Sequence, residues 1–183
     1  MGRWLILLVV LGFWPAYGEG KDGQIRMRAR ENYEKIAIHT PDQVWHYESF
    51  SHTFNIWYEK PFQWALGLAT GPYVMSYKEA PGQGDRPESL GRAIKLLNHG
   101  IELKSWFYQG FFYRLGVYYH QFNSEAEVGR DHGYGGLLGG GYEWDFDGIG
   151  LALEGDVRRL KLAEQGWTIE AGMVAIGVHF YRL

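Results

Sequence analysis

Strand-length segments that alternate large apolar residues with small, polar or charged ones recur through the second half of the chain. Phe111, Tyr113, Leu115, Val117 and Tyr119 are large and apolar, with Arg114, Gly116, Tyr118 and His120 between them. The pattern returns in Ile149, Leu151, Leu153, Gly155 and Val157, whose partners Gly150, Ala152, Glu154, Asp156 and Arg158 carry two acids and a base. Period two is the signature of a β-strand with two unlike faces, one seeking an apolar medium and the other water or counter-charges.

The first residues narrow the medium. Arg3 precedes an uncharged apolar stretch from Trp4 to Trp14, and Ala16-Tyr17-Gly18 places small residues where a signal peptidase reads. Residues 1–18 are therefore expected to be a cleaved signal peptide, and 19–183 a single exported domain. The apolar stretch is short for a membrane helix. Cysteine is absent, which excludes disulfides and thiolate metal sites. A net charge of −3 with interspersed signs gives no basis for nucleic-acid binding. Aromatic residues at 17% and 26 glycines, without long helical patterns, point to β structure bordered by interfaces.

Strands are expected at about 47–59, 62–76, 93–106, 110–121, 132–145, 148–160 and 167–183. Lys60-Pro61, Tyr108 to Gly110 and Phe146 to Gly148 read as short turns, while Tyr77 to Arg92, Phe122 to Asp131 and Lys161 to Gly166 read as longer loops. That asymmetry suits an outer-membrane barrel with its short turns in the periplasm. An even strand number requires an eighth, placed at 24–38, where Arg26, Arg28 and Arg30 alternate with Ile25, Met27 and Ala29. Ile25, Ala29, Tyr33 and Ile36 also fall at helical spacing, so an amphipathic helix is the alternative.

Aromatics gather beside the turns: Trp57, Tyr58, Phe62 and Trp64; Trp106, Phe107, Tyr108 and Phe111; Tyr142, Trp144 and Phe146. They are expected to form a belt at the lipid headgroups. A looser set near the long loops comprises Trp45, Tyr47, Tyr73, Tyr77, Tyr119, Tyr134 and Trp167.

The signal sequence, eight alternating segments, loop asymmetry and terminal Tyr181-Arg182-Leu183 resemble the small eight-stranded outer-membrane barrels of the OmpA transmembrane-domain and OmpX type. The resemblance implies an all-β, antiparallel, up-and-down barrel in the bacterial outer membrane. It also implies insertion by the barrel-assembly machinery, which reads the last strand. Leu183 stands where that family usually has Phe, and Gly177 and His179 occupy alternate positions where larger apolar residues are commoner.

Soluble barrels alternate with apolar residues inside, so glycine decides the direction. Gly135, Gly139 and Gly141 share a face with Glu143 and Asp145, and glycine makes room in a narrow lumen. The charged face is therefore placed inside, where Arg26, Arg28, Arg30, Glu102, Arg114, Glu154, Asp156 and Arg158 are expected to form an ion-pair network, because buried charges need partners. Such a plugged lumen leaves a structural or surface-interaction role for a monomer. Lys78, Arg86, Arg92 and Arg130 near the loops are candidates for lipopolysaccharide phosphates.

Catalysis is the alternative from another class. His46, Ser49, Ser76, His120, Asp131 and His132 gather near the long-loop rim. Lipid A palmitoyltransferase and deacylase are barrels of this size, yet no His-x-Ser pair is present and His120 is followed by Gln121 and Phe122. A non-enzyme is expected, with a lipid A-modifying acyl-transfer enzyme as runner-up and a narrow channel for small hydrophobic molecules third. The histidines at 46, 52, 99, 120, 132 and 179 show no paired ligand spacing, so neither metal nor cofactor is expected. His52 and His99 fall on the outward phase, at odds with a purely apolar wall.

Overall fold

The computed structural model describes residues 23–60, 63–78, 93–124, 130–146 and 149–181. Residues 1–18, expected as a signal peptide, and Phe62, Arg86, Arg92 and Arg182-Leu183 lie outside the described residues. Eight strands run in order: β1 Gln24–His39, β2 Val44–Lys60, β3 Trp64–Tyr77, β4 Ala93–Tyr108, β5 Phe111–Ser124, β6 Arg130–Phe146, β7 Ile149–Leu162 and β8 Thr168–Tyr181. Each pairs antiparallel with the next, and β8 pairs with β1 to close the barrel. Residues 24–39 are a strand, and period two wins over the helical alternative because Arg26, Arg28 and Arg30 all enter the lumen.

Following direct partners from Arg26 through Trp57, Gly67, Glu102, Gly116, Leu137, Arg158 and Ala171 returns to β1 at Ile36, ten residues further on. A stagger of ten over eight strands tilts them by about 40°, so each residue climbs about 2.5 Å along the barrel axis. The register therefore fixes the relative height of every side chain.

Closure at the turns is local chemistry. Between β1 and β2, the Thr40 hydroxyl donates to the Gln43 carbonyl at 2.9 Å and accepts the Gln43 N–H at 3.3 Å. Between β4 and β5 the chain passes through positive φ at Gln109 and Gly110. Gly110 meets the conformational need, and a Cβ there would lie 2.5 Å from the Glu143 carbonyl oxygen.

Height separates two polarity regimes. Over the lower and middle wall, Ile25, Phe54, Ile56, Leu66, Leu68, Ile101, Val117, Leu138, Leu153, Val157, Val174 and Ile176 point outward, while arginines and carboxylates fill the lumen. Near the extracellular rim the arrangement reverses. Lys35, His46, Lys95, Lys161 and Arg159 are exposed, and Ile36, Ile38, Trp45, Tyr47, Met75, Ile94, Leu96, Phe122, Leu160, Leu162 and Ile169 form a buried apolar cluster. The lower wall suits lipid and the upper suits water.

This reversal corrects the expected aromatic assignment. Tyr58, Trp64, Phe107, Tyr108, Phe111, Trp144 and Phe146 do face outward near the short turns. Trp57 and Trp106 fall on the opposite strand parity and pack inside with Ala65, Phe112 and Ala152. Trp45, Tyr47 and Tyr73 belong to the lumenal cap, with Tyr77 and Trp167 packed against it. Asp145, expected inside with Glu143, is exposed because β6 has by then passed the end of the lumen.

Candidate functional site

The lumen holds three storeys. At the periplasmic end, Glu143 receives Arg26 and Lys104, and Arg26 also meets Glu59 at 2.7 Å. Lys104 Nζ sits 4.2 Å and 4.0 Å from the ring centroids of Trp106 and Phe112, so the aromatic floor also neighbours a cation. Above it, Arg28 pairs with Glu154, and Arg30 lies 3.4 Å from Glu154 and 3.6 Å from Asp156. Arg114 is the hub, 3.1 Å from Glu154, 3.5 Å from Glu102 and in contact with Asp156. Higher still, Arg158 pairs with Glu34 and lies over the Tyr73 ring at 4.8 Å.

All eight lumenal residues singled out in the sequence are buried here. The sequence reading missed Glu34, Glu59, Lys104 and Glu143 as members, although each sits on the inward parity of its strand. Among the described residues the network joins six cations (Arg26, Arg28, Arg30, Lys104, Arg114, Arg158) to six carboxylates (Glu34, Glu59, Glu102, Glu143, Glu154, Asp156). Neutral partners complete it. Asn32 donates to Ser51 Oγ at 3.1 Å and Thr53 Oγ1 at 3.0 Å, Ser51 donates to Glu34 at 3.1 Å, and Asn55 donates to Glu102 at 3.1 Å. The Tyr118 hydroxyl also donates to Glu102. A balanced, hydrogen-bonded set offsets part of the cost of removing these charges from water.

The rim residues weighed for catalysis do not converge. His46 and His132 lie on the outward parity, whereas Ser49, His120 and Asp131 are buried inside. His120 Nδ1 contacts the Asn98 side chain. Asp131 accepts the backbone N–H groups of His132 at 2.6 Å, Glu164 at 3.1 Å and Gln165 at 3.1 Å, clamping the turn between β7 and β8. Asp131, His132 and Glu164 also bring three ligand-type atoms within 4.8 Å. The clamp accounts for the position of the buried carboxylate in that group.

Of the cations weighed for lipopolysaccharide, Lys78 is held by Glu48 at 3.0 Å and Arg130 is exposed at the start of β6. Four polar side chains instead interrupt the apolar outer wall: Glu31 on β1, His52 on β2, Thr70 on β3 and His99 on β4. Glu31 and His52 are direct cross-strand partners with Oε2 and Nδ1 2.6 Å apart, and Thr70 Oγ1 lies 3.1 Å from His99 Nδ1. The signal for them was the off-phase placement of His52 and His99.

No family model and no curated protein matches this chain. Among solved structures, Neisserial surface protein A is 13% identical with a TM-score of 0.53, covering 88% of this chain and 100% of its own. Ail, the attachment invasion locus protein of Yersinia pestis, is 11% identical with a TM-score of 0.52, covering 87% of this chain and 100% of its own. The fold is that of the small eight-stranded outer-membrane barrels.

Proposed function

We propose that this protein is a resident of the bacterial outer membrane whose lumen is closed to diffusion and whose role is structural or interactive, exercised at its outer wall and extracellular rim. The observation that carries this reading is the stacking of the lumen. A neutralised ion-pair network fills its lower and middle storeys, and the apolar cluster from Ile36 to Ile169 caps the extracellular end. Eight strands enclose just enough room for such side chains. A route for small hydrophobic molecules would require both the cap and the network to part.

Outside, Lys35, Lys95, Arg159 and Lys161 stand exposed above the apolar belt, at the height where outer-leaflet phosphates lie. Together with Arg130 they make lipopolysaccharide the expected lipid neighbour. The test is electrical: the full barrel in a planar bilayer is expected to give no sustained conductance above protein-free membrane. A steady open level would refute the closed lumen.

A further inference from the structure

Glu31, His52, Thr70 and His99 sit on four consecutive strands and all face outward. Glu31 and His52 are 70% and 62% exposed, so this is a carboxylate–imidazole pair mounted on the outer wall rather than in the lumen. On β1, β2 and β4 the next fully hydrophilic outward residue towards the rim is four positions away, at Lys35, Glu48 and Lys95. At about 2.5 Å per residue the strip lies about 10 Å below that charged ring. Ile25, six positions below Glu31, lies about 15 Å beneath the strip, near the other edge of the belt. The strip therefore occupies the outer-leaflet half, just inside the hydrocarbon boundary and beneath the interfacial layer in which lipid headgroups are joined to their chains.

Ionisable side chains facing lipid are rare and mark function by default. The types and contacts here are those of acyl transfer: a hydroxyl within reach of an imidazole, and a second imidazole held through Nδ1 by a carboxylate. Register joins the two pairs. Thr70 lies directly opposite His99 on one side and Phe54 on the other, and His52 is two residues from Phe54 on the same face. That makes His52 a diagonal neighbour of Thr70, within reach of a long side chain. Thr70 itself is paired on both sides, with Phe54 and with His99, whereas the β2–β3 ladder breaks at the next residues, Gly71 and Pro72, and proline has no N–H; the side-chain donor placed to meet an oxyanion is His52.

We propose that this strip is a lipid-facing site that hydrolyses an acyl ester of an outer-leaflet lipid. Thr70 Oγ1 attacks the ester carbonyl carbon while its proton passes to Nδ1 of His99. His52, positioned through Nδ1 by Glu31, turns its Nε2–H to the carbonyl oxygen as that atom takes up charge. The carbon–oxygen bond to the lipid alcohol then breaks, and the alcohol leaves with the proton from His99. Water gives a proton to His99 and attacks the acyl-Thr70 ester, releasing the fatty acid as Thr70 recovers its proton. Thr70, His99 and His52 are the catalytic residues, and Glu31 is a positioning residue.

The full barrel, reconstituted separately with ester-linked phosphatidylethanolamine, ester-linked phosphatidylglycerol, their ether-linked counterparts and lipopolysaccharide, is assayed for free fatty acid by mass spectrometry. Folding of every variant is checked by gel mobility without heating. Release from at least one ester substrate and none from the ether lipids is expected, with a fall of about 100-fold in T70V and H99Q. E31Q is expected to fall less, with recovery in E31D. A fluorophosphonate probe should label Thr70 in the parent barrel and nothing in T70V. Fatty acid no higher than in T70V, or release that T70V leaves unchanged, overturns the proposal. So does crosslinking through the strip that reveals a dimer without ester cleavage, which would make it an interface between two copies.

Discussion

Replacing Arg114 with methionine removes the cation that stands between three carboxylates at the centre of the lumen. Its guanidinium lies 3.1 Å from Glu154 and 3.5 Å from Glu102 and also contacts Asp156, all at 0–1% side-chain exposure. Methionine keeps much of the volume, so the cost is electrostatic rather than a cavity. Removing one partner from a buried pair costs about 3–5 kcal/mol, because the remaining charge is left without compensation. At 1.36 kcal/mol per factor of ten, that is a shift of about two to four powers of ten in the unfolding equilibrium. Urea unfolding of the barrel in vesicles, followed by tryptophan fluorescence and by unheated gel mobility, reads this directly. Adding D156N in the same chain removes one of the stranded acids, and the double variant should cost less than the sum of the singles by about 1–3 kcal/mol. A single-variant cost below about 1 kcal/mol, or additivity within about 0.5 kcal/mol, would refute the argument that the network holds itself together by mutual compensation.

Gly139→Ala would drive a Cβ into the Asp156 carboxylate and to 2.9 Å from the Gly155 carbonyl oxygen, so a loss of about 1–3 kcal/mol is expected in the same assay. Gly172→Ala meets nothing within 4 Å and should stay within about 0.5 kcal/mol of the parent. Trp45→Ala empties a side chain only 1% exposed in the cap, costing about 3–5 kcal/mol. Its hydrogen exchange should rise first at the extracellular ends of β2 and β3 while the membrane-level strands stay protected. In single-tryptophan barrels, lipids brominated on their acyl chains should quench Trp64 and Trp144 and spare Trp57, Trp106 and Trp45. Equal quenching of both groups would contradict the assignment of the wall.

Strand number and direction were legible because period two survives in every segment, and at membrane depth the outward parity carries ionisable residues at few positions, Glu31, His52 and His99. The arginines at 26, 28 and 30 were legible for the same reason. What the alternation could not show was height. Tyr73 and Trp45 read like headgroup aromatics when only their nearness to loops is known, yet the stagger of the sheet puts them in the lumen above the ion pairs. Trp57 and Trp106 were misread through proximity to a turn, where parity alone would have turned them inward. Of the network, Lys104, Glu59 and Glu143 were obscured because their partners are far away in sequence: Glu143 meets Arg26 across 117 positions.

The reversal of polarity along one set of strands also explains why these strands are so long. β2 and β6 each run 17 residues and β1 and β4 each run 16, whereas a tilted membrane strand needs only about 9–11. The extra residues carry the barrel past the lipid, where the outer face must satisfy water and the inner face is free to be greasy. Within the membrane an apolar interior would gain little, since the wall already meets hydrocarbon outside. Above it, burying Trp45, Phe122 and Leu162 supplies the same driving force as a soluble core. Each half thus places its apolar surface where it is removed from water, and the level at which Lys35 and Lys95 begin on the outside is the level at which Ile36 and Leu96 begin within.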